Sequence, residues 1–143
     1  MPMPYTYRHA SAEFRAYLQD LREATLIESD NVLYTGTEAV LTSFRARLTV
    51  AEGLRFADEL PAVLRAIFVW RWDGAAAPLP WPDRETLRAE MLALRRHHNF
   101  CPPSLLEELL AAIPPTMRAP DFQRAVERIG PQAVGFWAAG RAD

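Results

Sequence analysis

Apolar residues recur along the chain at three- and four-residue spacing, the period of helices with one buried face. Phe14, Leu18 and Leu21 form the first such stripe and predict a helix from Ser11, a good N-terminal cap, to about Ala24 or Thr25. Val40, Leu41, Phe44 and Leu48 form the second, spaced i, i+1, i+4 and i+8. Two starts fit that helix. Thr35-Gly-Thr-Glu38 reads as a capping box, in which the first and fourth residues each satisfy the other's backbone N–H. Ser29 and Asp30 are also good caps and would carry the helix through Gly36, at a propensity cost of about 1 kcal/mol.

Thr49-Val-Ala-Glu52 is a further capping box and opens a short helix through Glu59. Pro61 suits a first helical position, so another helix is expected from Leu60 or Pro61 to about Trp70. Its Val63, Leu64, Ile67, Phe68 and Trp70 are apolar nearly all round, which predicts burial. Pro78, Pro80 and Pro82 then forbid a helix and favour an extended connection. Beyond it, Asp83 caps a helix bearing Leu87, Met91 and Leu94. Ser104-Leu-Leu-Glu107 is a third capping box, and its helix carries Leu109, Leu110 and Ile113 up to Pro114-Pro115. Asp121 is expected to start a short helix with Phe122, Val126 and Ile129, and Gly130-Pro131 restarts the chain toward Phe136 and Trp137. No stretch alternates like a half-buried strand. The fold class is all-α.

The two sides of the proline-rich segment resemble each other. A shift of 69 residues places Thr35 on Ser104, Glu38 on Glu107, and Val40, Leu41, Phe44 and Leu48 on Leu109, Leu110, Ile113 and Met117. The same shift places Leu60 on Ile129 and Ile67-Phe68 on Phe136-Trp137, with the proline displaced by one position. Agreement of caps, stripe and proline in one register predicts two tandem repeats of about four helices, residues 11–72 and 83–139, joined by linker 73–82. They are expected to pack as one helical domain over 1–143.

Composition supports that reading. A chain of 143 residues hides roughly 68–70% of its extended surface, enough for one sizeable core. One cysteine, Cys101, excludes an internal disulfide framework. The start lacks the basic and apolar regions of a secretory signal, and no run of about 18 apolar residues occurs, so a cytoplasmic protein outside the membrane is expected. All sixteen basic residues are arginine, against eighteen acids, for a net charge of -2. Up to Asp73 there are eight arginines and ten acids, and after it eight of each. That even spread argues against a nucleic-acid-binding module, which concentrates positive charge.

The segment from Val40 to Leu54, Val-Leu-Thr-Ser-Phe-Arg-Ala-Arg-Leu-Thr-Val-Ala-Glu-Gly-Leu, is followed by Asp58-Glu-Leu-Pro-Ala-Val-Leu-Arg65 and Trp72. Together they strongly resemble the bacterial domain of unknown function 2267 family. The resemblance covers roughly residues 13–137. It implies an all-helical, two-part fold and a longer second helix starting near Ser29. It implies no activity. The second half departs from the pattern, with Gly130-Pro131 where Leu-Pro is expected and Pro114-Pro115 at a usually simpler junction.

Candidate chemistry is sparse. His97, His98 and Cys101 lie close in sequence, and residues four apart on a helix can share a zinc ion. A full site needs more ligands, and the remaining histidine, His9, is distant. The plainer reading is a helix C-terminus whose arginines and histidines complement its dipole, with Cys101 a small hydrophobe. Ser11, Ser29, Ser43 and Ser104 lack a nucleophile elbow. Asp58-Glu59 and Glu107-Glu108 are adjacent pairs that diverge on a helix. The six glycines form no phosphate-cradling series. Trp70, Trp72 and Trp81 bracket the linker, either as a repeat seam or as an interaction surface. No catalytic residue, cofactor or metal is assigned. The expected function is a non-catalytic protein-interaction or assembly module whose partner is another protein or a second copy. The alternatives are a metal-dependent activity at His97, His98 and Cys101 and, more weakly, nucleic-acid binding.

Overall fold

In the computed structural model, which describes residues 1–94 and 104–138, the second long helix begins beside Ser29. The Ser29 hydroxyl accepts from the Val32 N–H at 3.3 Å, so the cap implied by the family resemblance prevails over Thr35. Thr35 lies inside the helix and donates to the Asn31 carbonyl, while Glu38 accepts from the Tyr34 hydroxyl. Gly36 is kept mid-helix by a close approach: a β-carbon there would meet Leu109 Cδ1 at 2.9 Å.

Every regular element among the described residues is helical. Before the proline-rich segment come α1 (Tyr5–Arg8), α2 (Ala10–Thr25), α3 (Asp30–Arg45), α4 (Val50–Ala57) and α5 (Ala62–Val69). After it come α6 (Arg84–Leu94), α7 (Leu105–Ala112), a 3-10 turn (Pro114–Thr116), α8 (Ala119–Ile129) and α9 (Pro131–Ala138). The start of α5 recurs 69 residues later as the start of α9, and the start of α4 recurs as the start of α8. No described helix is long and apolar enough to cross a membrane.

Several caps differ from the sequence expectation. Thr49 and Glu52 form the expected capping box, and Asp83 accepts from the Thr86 N–H at 2.7 Å. Ser104 makes no side-chain cap, because its backbone is already helical; Glu107 pairs instead with Arg88 across α6 and α7. Helix α2 starts one residue before Ser11 and has no side-chain cap. Pro61 stands just outside α5 rather than in its first turn. The missing cap comes from afar: Thr6 Oγ1 accepts from the Ala62 N–H at 2.8 Å, tying α1 to the start of α5. Helix α4 stops at Ala57, two residues before Glu59, where the chain tightens into turns bonded to Phe56 and Ala57. Helix α8 opens two residues before Asp121, with Pro120 in its first turn, where its absent N–H is no loss.

Buried residues from both sides of the linker form one cluster, including Leu21, Leu33 and Phe68 from the first side and Leu87, Leu109 and Val126 from the second. Helix α3 sits centrally, packed on α2, α5, α6 and α7. Its Phe44 is the aromatic hub, with ring centroids 4.8 Å from Phe56, 5.0 Å from Phe136 and 5.2 Å from Trp137. The linker folds back on this core. Its Leu79 N–H donates to the Ala46 carbonyl at 2.9 Å, and its Pro80 carbonyl accepts from Arg47 Nε at 3.0 Å.

Candidate functional site

His97, His98 and Cys101 lie outside the described residues. Among the described residues, no group of three or more histidine, cysteine, aspartate or glutamate side chains converges. His9 sits before α2, its ring 4.1 Å from that of Tyr5.

The three tryptophans around the linker occupy different environments. Trp70 is 61% exposed, with the Arg71 guanidinium 5.4 Å from its ring centre. Trp72 is half-buried. Its ring lies on Gly53 of α4, where any β-carbon would overlap it, and Arg45 covers it at 5.7 Å. Arg45 also donates to the carbonyls of Phe68 and Trp70, both at 2.9 Å. Trp81 is half-buried between helices from opposite sides of the linker, 5.9 Å from Phe44 and 6.3 Å from Phe136.

Among the described residues, three clefts between packed helices stand out. A polar one of about 200 Å³ separates α4 from α8, with Glu52, Arg55, Glu59, Asp121, Arg124 and Arg128 around it. Its charges balance. Asp121 pairs with Arg124 and, at 3.6 Å, with Arg118, while Glu52 is held by its capping box. An apolar groove of about 460 Å³ runs along α7, the 3-10 turn, α8 and α9, lined by Leu110, Met117, Phe122, Val126 and Trp137 among others.

The third cleft, about 240 Å³, lies where α2 meets α5, α7 and the 3-10 turn. Helix α2 contributes Ala10, Glu13, Phe14, Ala16, Tyr17 and Asp20, positions that fall on one helical face. The alanines leave the space. Pro61, Val63 and Leu64 come from the start of α5, and Ala112, Pro115 and Thr116 close the far side. Tyr17 is pinned at the base by a 2.8 Å hydrogen bond to Thr37 Oγ1. The Thr37 proton is committed to the Leu33 carbonyl, so the tyrosine is the donor. Burial pushes its hydroxyl pKa well above the usual tyrosine range, leaving it neutral. Glu13 has one carboxylate oxygen buried with no hydrogen-bond donor among the described residues.

Over residues 14–124 the chain matches the family described as uncharacterized conserved protein, DUF2267. The chain belongs to that family. No curated protein matches it. The DUF2267 match runs from Phe14 in α2 into α8, and so takes in most of the wall of the cleft at α2, α5 and α7. Sequence reasoning missed this cleft. Only the Phe14 stripe of α2 was legible; Glu13 and Asp20 carry no local signal until α5 and α7 are packed against the same face.

Proposed function

We propose that this DUF2267 protein acts without chemistry of its own, as a cytoplasmic protein-interaction or assembly module. An amphipathic segment of a partner inserts its apolar side chains into a cleft between packed helices, a recurrent mode of peptide recognition. The observation that carries this reading is the cleft at α2, α5 and α7: an apolar floor of Phe14 and Leu64 beneath a surface opening. Its walls come from helices on both sides of the linker, so a segment seated there would bridge the two sides.

Ala16 is exposed on the rim, so Ala16→Trp fills the space without disturbing the core. The test is purification of the tagged chain from its native cells, with wild type and this variant compared at equal folded yield. A partner recovered in stoichiometric amount with wild type and lost with Ala16→Trp is the expected result. Identical sets of co-purifying proteins would sink the reading.

A further inference from the structure

We infer that the partner segment received by the α2–α5–α7 cleft is anchored by a cationic side chain, a guanidinium or ammonium flanked by apolar residues. This rests on the interaction reading above and adds the chemistry of the occupant. Glu13 and Asp20 border the cleft seven residues apart, about 10 Å along the same face of α2. Among the described residues, no arginine or histidine lines the cleft, so within them its charge is uncompensated. The deficit is particular to this cleft, because the one at α4 and α8 has three arginines for its three acids.

Glu13 supplies the second observation. Its buried Oε1 has no hydrogen-bond donor among the described residues. Two hydroxyls of the cleft are unavailable to Glu13: Tyr17 spends its proton on Thr37, and Thr116 donates to the Ile113 carbonyl. A carboxylate partly removed from water and left without donors is costly, and a cation arriving with its own N–H groups removes that cost. The partly buried ring of Phe14 lies beside it, a surface on which a planar guanidinium stacks while bonding a carboxylate. Shape selects the apolar part of the segment, and charge selects the anchor.

The test uses the full chain and two small probes, phenethylguanidinium and its neutral isostere phenethylurea, titrated with amide chemical shifts as the readout. The cation should bind saturably, shift α2 and α5 resonances, and bind about tenfold tighter than the urea. Glu13→Gln should remove that preference, Asp20→Asn should reduce it, and Glu127→Gln on α8 should leave it intact. Melting curves of each variant confirm folding, and Asp20→Asn, at an exposed position, keeps the test open should Glu13→Gln unfold. Equal binding of both probes in the cleft would overturn the cationic anchor while leaving the interaction reading standing. Absence of both probes from the cleft would count against both readings. A wild-type dimer that dissociates on Glu13→Gln would identify the occupant as a second copy and overturn the partner segment.

Discussion

Arg47 and Glu90 form a two-pronged ion pair across the linker, Nη1 to Oε2 at 2.8 Å and Nη2 to Oε1 at 2.6 Å. The arginine side chain is only 3% exposed, against 31% for the glutamate. Two further N–H groups reach the Ser43 carbonyl at 2.9 Å and the Pro80 carbonyl at 3.0 Å. One guanidinium therefore ties the end of α3, the linker and α6 together. A buried cation with four of its five N–H groups bonded is stable only while those partners stay in place.

Removing the carboxylate should thus cost more than an ordinary surface pair would. We predict that Glu90→Gln destabilises the fold by about 2–3 kcal/mol, below the full value for a fully buried pair because Glu90 is partly wet. Arg47→Met should cost at least as much, since it also orphans the Ser43 and Pro80 carbonyls. Urea unfolding of the two single variants and the double should give a coupling energy of about 1–3 kcal/mol. Strictly additive losses would show that the pair is incidental.

The same pair gives the acid limb of stability a definite sign. The Arg47 hydrogen bonds hold the Glu90 carboxyl below its usual pKa, more than offsetting its partial burial. Between the folded and unfolded pKa values the unfolded chain binds more protons, so stability rises with pH there. The contribution is complete above about pH 4.3, the usual glutamate value, and is lost as pH falls through the lowered one. Asp83 acts in the same direction through the Thr86 N–H. Wild type should therefore lose stability on acidification more steeply than Glu90→Gln, with Asp83 preserving part of the slope. Parallel acid limbs in equilibrium unfolding would rule this out.

Gly53 makes a prediction from close approach. A β-carbon on α4 at this position would overlap the six-membered ring of Trp72. Gly53→Ala would normally gain helix propensity, by about 1 kcal/mol at most. Here the displaced indole should reverse the sign, for a net loss of about 1–3 kcal/mol. In a Trp72→Ala background the obstacle is gone and the propensity gain should emerge. Finding the same effect of Gly53→Ala in both backgrounds would contradict the packing.

Periodicity located the helices because α2, α3, α6 and α8 each present one apolar stripe to a shared core. Boundaries were less legible, since caps compete locally and tertiary bonds settle the contest. Ser29 outbids Thr35 because α7 packs against Gly36, and Thr6 caps α5 from another helix. Of the residues that the 69-residue shift aligns, Ile67, Phe68, Phe136 and Trp137 are all buried, whereas of Leu60 and Ile129 only the first is fully covered. Arg47, Glu90 and Glu13 had no local signature at all. Their roles arise only when distant helices meet.

The tryptophans separate two kinds of aromatic surface. Trp81 contacts Phe44 from before the linker and Phe136 from after it, so its ring joins both sides of one aromatic cluster. Trp70 contacts the Arg71 guanidinium and is mostly in solvent. We predict that Trp81→Ala costs about 2–3 kcal/mol, below the range for a fully buried ring because Trp81 is half-covered. For a chain of this size that is a fall of roughly 6–12 °C in Tm. Trp70→Ala should stay within about 0.5 kcal/mol of wild type. Because the Trp81 contacts span the linker, its loss should lower one cooperative transition rather than release half of the molecule. Thermal unfolding followed by far-UV circular dichroism distinguishes these outcomes. Two resolved transitions in Trp81→Ala would mean that the helices before and after the linker are stable apart. An unchanged Tm would mean that the cluster closes without Trp81, with Phe44 and Phe136 in direct contact at 5.0 Å sufficing on their own.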